Sequence, residues 1–103
     1  MKLPEGMIKV DSEFGKFLGF TSDKFEEGSY LWGEPKNNLI YISFIWALKK
    51  GAFRNLMQKI EKLGLIFKIP TPLERMLEIG IKQGWRKTEE IHNGDCYTIL
   101  TNK

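Results

Sequence analysis

The sequence predicts an α/β domain with a mixed, α+β type of sheet, built around a central βαβ unit and a C-terminal β-hairpin. An apolar run over residues 39–47 indicates a buried strand, and a shorter apolar run over residues 65–69 follows a segment of helical period. A strand, a helix and a strand in this order place the two strands parallel and adjacent. Near the C-terminus, Asn93 and Gly94 separate two strand-like runs, which is a strong hairpin signal.

Length and composition indicate one ordinary globular domain over residues 1–103. The chain is 42% hydrophobic and 28% charged, and its net charge of +3 permits a phosphate-bearing ligand without requiring one. The single cysteine, Cys96, allows no internal disulfide bond and is expected to pack within a strand, which favours a cytoplasmic location. No apolar segment approaches the roughly twenty residues of a membrane span, and one histidine excludes a histidine-rich metal site.

The first third of the chain gives weaker signals. Residues 7–10 indicate either a short strand or an arm, and a short helix is expected after Ser12, although Gly15 and Gly19 weaken it. Residues 29–33 and 39–47 flank a turn and predict an antiparallel hairpin. The second arm is apolar at almost every position, which predicts a central strand covered on both faces.

Two helices complete the pattern. Residues 52–63 place apolar side chains on one face and end at Gly64. The second helix is expected to have Thr71 as its N-cap and Pro72 as its first residue, with Glu74 completing a capping box. Gly80 lies on its apolar face, where a glycine suggests that another backbone approaches closely. Residues 85–91 and 96–101 then form the C-terminal hairpin around residues 92–95.

The segment 39–102 resembles the C-terminal half of the GNAT family of N-acetyltransferases. The resemblance is carried by the strand at residues 40–46, Gly51 with the helix after it, the strand at 66–70, and Gly84-Trp85 before the last hairpin. It implies a minimal GNAT-like fold, similar to small GNAT-like proteins of bacteria and their phages. It also implies acetyl-CoA as the cofactor.

In the family, backbone N–H groups of the turn after the central strand hold the pyrophosphate of acetyl-CoA at a helix N-terminus. Aligning the last small residue of that turn with Gly51 puts its first position at Trp46 and its earlier glycine at Lys49, so only Gly51 matches. A solvated basic turn is the alternative interpretation. The cofactor-binding residues implied by the resemblance are Trp46, Ala47, Lys49, Lys50, Gly51, Ala52 and Phe53.

The resemblance also implies a tyrosine on the later helix that protonates the departing thiolate. Gly80 stands at that position here, so a tyrosine from elsewhere would have to act. The catalytic candidates are Glu34, as a general base, and Tyr41. Glu26, Tyr30 and Tyr97 are further options, and His92 in the hairpin turn is expected to be exposed.

Two functions stay open. The first is an acyl-CoA-dependent N-acetyltransferase acting on an amine of a small molecule or protein. The second is a catalytically inactive GNAT-fold binding protein, phage-encoded, that acts on a host protein or nucleic acid. For nucleic acid, a basic face would lie near Trp46 and Trp85, although Glu61, Glu89 and Glu90 interrupt it. Residues 1–28 hold fewer helices than the full fold has, so a homodimer would supply the missing wall of the site.

Overall fold

The computed structural model describes residues 2–70, 72 and 74–102. These residues form a six-stranded mixed sheet and three α-helices. The elements in chain order are β1 (Gly6–Lys9), α1 (Glu13–Leu18), β2 (Tyr30–Glu34), β3 (Leu39–Phe44), α2 (Ala52–Lys62), β4 (Ile66–Pro70), α3 (Glu74–Gln83), β5 (Arg86–His92) and β6 (Asp95–Thr101). Across the sheet the strands lie in the order β1-β2-β3-β4-β6-β5.

The central βαβ unit predicted from the sequence is present. Strands β3 and β4 pair in parallel, and α2 connects them. The other neighbouring strands are antiparallel, including the predicted hairpins β2–β3 and β5–β6. Asn93 and Gly94 in the last turn have φ of 53° and 82°, as a two-residue type I′ turn requires. The predicted α/β class with a mixed sheet is therefore confirmed.

The three helices pack on one face of the sheet and form the main core with it. The strand residues on this face follow from the pairing, in which Ile8 lies opposite Leu31 and Ile40 opposite Phe67. The predicted apolar face of α2 supplies the centre of the core. The fully buried members with the largest side chains include Ile8, Phe20, Phe25, Leu31, Ile40, Leu56, Met57, Ile60, Phe67 and Leu100.

The opposite face of the sheet carries no helix among the described residues. Tyr41 and Lys68, paired across β3 and β4, are half-buried there, and Trp32 is 43% exposed. The prediction of a strand over residues 39–47 covered on both faces is therefore wrong in two respects, because β3 ends at Phe44 and helices cover one face. The sequence misleads here because Tyr41 and Phe44 are aromatic, and aromatic residues look apolar whichever face they occupy.

Tertiary contacts explain the glycines that weaken α1 in the sequence. Ser12 caps the helix, since its Oγ accepts a hydrogen bond of 3.1 Å from the N–H of Gly15. A Cβ on Gly15 would lie 2.6 Å from the carbonyl oxygen of Lys9, so a larger residue would push the helix away from β1. The strand interpretation of the N-terminal segment is confirmed by β1, which pairs with β2.

Some local predictions differ from the structure, and one of them falls on a residue that the structure does not describe. The N-cap assigned to Thr71 lies outside the described residues, and Pro72 precedes α3, whose first described residue is Glu74. Cys96 lies in β6 as expected, but its side chain is exposed because the far end of the last hairpin extends beyond the helices.

Trp85 connects the helices to the end of the sheet. Its ring meets that of Phe67 nearly edge-on, with centroids 4.8 Å apart, and its Nε1–H donates a 3.0 Å hydrogen bond to Glu61 on α2. Only 7% of its surface is exposed. The nucleic-acid interpretation used Trp85 as a surface aromatic, and its burial excludes that role.

We expect Gly80→Ala to lower the free energy of unfolding by about 1 kcal/mol, although alanine is the better helix former. A Cβ on Gly80 would lie 2.9 Å from Leu100 Cδ1 and 3.1 Å from Trp85 Cε3, so the close neighbours are side chains and not the backbone predicted. Overpacking of about 1–3 kcal/mol outweighs a propensity gain of about 1 kcal/mol. Urea denaturation measures the change, with the exposed Gln83→Ala as control, and a stabilised Gly80→Ala would contradict this packing.

Candidate functional site

The two parallel strands at the centre of the sheet separate at their carboxyl ends. Their pairing runs from Leu39 with Ile66 to Tyr41 with Lys68 and stops there, although β3 continues to Phe44 and β4 to Pro70. Beyond this point β3 pairs with β2 alone, and β4 pairs with β6. Parallel α/β sheets bind ligands where neighbouring strands diverge at their carboxyl ends, so this gap is a candidate site.

The segment that follows β3 holds the predicted cofactor-binding residues, and the loop before β2 fixes it. Leu48 N–H donates to the carbonyl of Lys24 at 2.7 Å, and Glu26 N–H donates to the carbonyl of Trp46 at 2.9 Å. The N–H of Trp46 in turn donates to the hydroxyl of the buried Ser29 at 3.0 Å. The segment is thus held in place, and its residues from Trp46 to Gly51 face water. Trp46, Ala47, Lys49, Lys50 and Gly51 are exposed, Phe53 is half-buried and Ala52 is buried.

The helix N-terminus at the end of this segment carries two lysines. Gly51 is the N-cap of α2 with φ of 84°, and it offers no side chain to cap the first turn. Unpaired N–H groups and the positive end of the helix dipole favour an anion at such a terminus. Lys49 Nζ lies 3.7 Å from an Asp23 carboxylate oxygen, but both side chains are more than half exposed, so this pair contributes little.

A cavity of about 400 Å³ opens on the helix-free face of the sheet, beside the gap. The sequence-predicted catalytic candidates Glu34 and Tyr41 both line it. The structure does not place Glu26 among the lining residues, since it lies in the loop against Trp46. Among the described residues, the lining consists of Glu34, Tyr41, Pro70, His92, Tyr97 and Ile99.

An ion-pair network borders this cavity. Lys68 Nζ donates a hydrogen bond of 2.5 Å to Glu90, and His92 Nε2 lies 3.0 Å from the other oxygen of that carboxylate. The Lys68 and Glu90 side chains are 25% and 23% exposed, so the pair is partly shielded from water. The hydrogen bond lowers the pKa of Glu90 and raises that of Lys68, which keeps both groups charged.

Tyr41 lies at the junction of the gap and the cavity. Burial raises the pKa of its phenol above the ordinary value; Lys68 opposes this shift, and Glu34 and Glu90 reinforce it. Lys68 Nζ is 6.0 Å from the centre of the Tyr41 ring. The phenol therefore stays protonated at neutral pH and can donate a hydrogen bond or a proton.

Several residues of this site were missed by sequence reasoning. Lys68 is the one charged residue of β4, whose other residues are apolar. It lies two residues before Pro70, so the alternation of a strand places the side chains of Lys68 and Pro70 on the same face of the sheet. That alternation is a usable signal for Lys68, but nothing local indicates that Glu90 meets it. His92 is 47% exposed, as predicted, and it also lines the cavity.

Exposed apolar side chains lie along the carboxyl end of β3 and the segment after it. Phe44, Trp46 and Leu48 alternate along the chain and are 48%, 62% and 51% exposed. A run of large apolar groups in water is typical of a surface that contacts another molecule.

Comparison of the chain with protein-family models, with curated proteins and with solved structures found no match in any of the three. Within the described part of the chain, no helix combines the length and apolar character needed to cross a membrane. The fold and the site define a small α+β domain whose sheet has one open face, with a strand gap and a cavity next to each other.

Proposed function

We propose that this protein is an acyl-CoA-dependent N-acetyltransferase whose acceptor is an amine of a small molecule or protein. The observation that carries the proposal is the gap between β3 and β4: their pairing ends at Tyr41, which lines the cavity, and the chain leaving β3 leads to the N-terminus of α2. A phosphate group at the helix N-terminus and a reacting group in the cavity would then belong to one extended ligand. The GNAT resemblance of residues 39–102 points the same way.

The residues at the helix N-terminus fit the phosphates of acetyl-CoA in part. Gly51 matches the family turn and places no side chain over the first turn of α2, whose first N–H, that of Ala52, donates to the carbonyl of Lys49; Lys49 and Lys50 add positive charge. A side chain at Lys49, where the family has glycine, makes the approach to the backbone narrower. When bound, acetyl-CoA would supply the activated acyl thioester.

Two side chains in the cavity can act as the general base and the general acid of the acyl transfer. A C–N bond forms between the amine and the acyl carbon while the C–S bond breaks. Glu34 would accept the proton that the amine loses, and Tyr41 would donate one to the departing sulfur. The raised pKa of Tyr41 suits a donor. The family position for this tyrosine is Gly80, which is buried against Leu100 and has no room for a tyrosine.

Calorimetric titration with acetyl-CoA tests the proposal. We expect micromolar affinity, and we expect Lys49→Glu/Lys50→Glu to weaken it by more than about tenfold because it replaces attraction to the phosphates by repulsion. The control is Lys2→Glu/Lys36→Glu, which makes the same change in net charge at exposed positions outside this turn. No heat at millimolar ligand would reject the enzyme, and equal losses in both variants would reject this turn as the binding site.

A second candidate function is a non-catalytic binding protein that acts on a host protein. The exposed strip Phe44, Trp46 and Leu48 favours it, since large apolar side chains such as these neither neutralise the phosphates of acetyl-CoA nor transfer protons. The same titration separates the two candidates. A chain that binds no acetyl-CoA but loses a captured protein partner on Trp46→Ser would support the binding protein.

A further inference from the structure

The outer strand β5 has an ordered charge pattern along its free edge. One edge of β5 pairs with β6, and no further strand lies against the other edge among the described residues. From Arg86 to Glu90 the residues are two cations, Thr88 and two anions. The signs are therefore opposite at equal distances on either side of Thr88.

We propose that this edge binds a second copy of the same chain, with the two β5 strands antiparallel and a two-fold axis at Thr88. In this register Lys87 lies opposite the partner's Glu89, and the two-fold symmetry places Glu89 opposite the partner's Lys87. Arg86 likewise lies opposite the partner's Glu90. Oppositely charged residues directly across an antiparallel ladder stabilise the pairing, and like charges destabilise it.

The pattern selects this register over its neighbours. Moving the axis by one residue to position 87 or 89 would place Lys87 opposite itself or Glu89 opposite itself. A parallel arrangement in register would place like charges opposite each other along the whole segment. Charged residues commonly protect an outer strand from pairing with another strand. Such protection does not require positive and negative residues to stand in any particular order. The order found here favours one antiparallel pairing of β5 with its own copy.

Exposed isoleucines lie where such a dimer would cover them. Ile91 in β5 is 75% exposed and Ile81 in α3 is 76% exposed. The register places Ile91 opposite the partner's Trp85. Trp85 lies two residues after the end of α3, and α3 carries Ile81 in its last turn. Ile91 pairs with Cys96 and alternates with His92, so it lies on the helix side of the sheet. The two isoleucines would then supply apolar contact beside the paired strands.

The dimer is independent of the proposed transferase activity, although the interface borders the cavity. Glu90 accepts a hydrogen bond from Lys68 on the open face, and the partner's Arg86 would approach the same face. The oligomeric state can be measured without any acyl-CoA ligand, so failure of one proposal is separate from failure of the other.

A charge exchange tests the interface. We expect the wild-type chain to dimerise in sedimentation velocity experiments at about 100 μM. Lys87→Glu and Glu89→Lys should each raise the dimer Kd by about tenfold or more, and the double exchange Lys87→Glu/Glu89→Lys should restore it. A monomeric wild type, or single variants that dimerise as wild type does, would overturn the proposal.

Cysteine crosslinking tests the register. In a Cys96→Ser background, Thr88→Cys should form a disulfide-linked dimer under mild oxidation, because the two-fold axis places residue 88 opposite itself. Lys87→Cys is the matched control and should crosslink at least about tenfold more slowly, since its equivalents are offset along the strands. Far-ultraviolet circular dichroism verifies that each variant is folded. Equal crosslinking at positions 87 and 88 would reject the assigned register.

Discussion

Replacing Phe67 by alanine is expected to lower the free energy of unfolding by about 3–5 kcal/mol. Phe67 is fully buried in β4, and its ring meets Trp85 edge-on. Removing it opens a cavity between the parallel strands and α2, and the rigid indole of Trp85 cannot fill it because its N–H is bonded to Glu61. A domain of this size has about 5–15 kcal/mol of stability in total, so the variant should be close to unfolding at 37 °C.

The measurement is urea denaturation followed by circular dichroism, with tryptophan fluorescence as a second probe. Phe44→Ala is the matched control, because Phe44 has the same side chain in the neighbouring strand but is 48% exposed. It should change stability by less than about 1 kcal/mol. Losses of similar size in the two variants would contradict the assignment of the core to the helix side of the sheet.

Periodicity and turn chemistry predict much of this fold. The alternation of apolar positions in the segment 52–63 locates α2 because Leu56, Met57 and Ile60 recur at helical spacing, and each is buried. Asn93-Gly94 locates the last hairpin because few residue pairs accept positive φ at both positions. The parallel pairing of β3 and β4 then follows from one helix connecting two adjacent strands. These features depend on residues that are close in the chain, so they can be predicted from the sequence.

Features that depend on contacts between distant segments could not be predicted. Gly33 looks like an ordinary strand glycine, yet a Cβ there would lie 2.1 Å from the carbonyl oxygen of Pro4, so the N-terminal arm requires it. Lys68 and Glu90 meet although 22 positions separate them. The cavity depends on how five strands, β2 to β6, are arranged, since each of them contributes a lining residue. The sequence therefore allowed Glu34 and Tyr41 to be predicted as catalytic candidates, but only the folded structure shows that both line the same cavity.

If the chain is a transferase, Tyr41→Phe is expected to lower kcat by about 100-fold while the acetyl-CoA Kd stays within about twofold. The phenol is the protonated group at the junction of the gap and the cavity, and phenylalanine keeps the ring but removes the proton donor. The raised pKa of Tyr41 predicts that the wild-type rate does not fall between pH 7 and about pH 9 through loss of this proton. Release of the CoA thiol, followed with a panel of primary amines, measures the rate.

Tyr30→Phe is the control for this experiment. Tyr30 is half-buried on the same face in β2, but it does not line the cavity, so its hydroxyl should not affect turnover. A specific loss in Tyr41→Phe would indicate that proton donation comes from the central strand, because the helix position used in the GNAT family is closed by Leu100 and Trp85 around Gly80. Retention of more than half the wild-type rate would assign Tyr41 a packing role. The proton would then come from water or from the neighbouring Lys68, whose ammonium the hydrogen bond to Glu90 keeps charged.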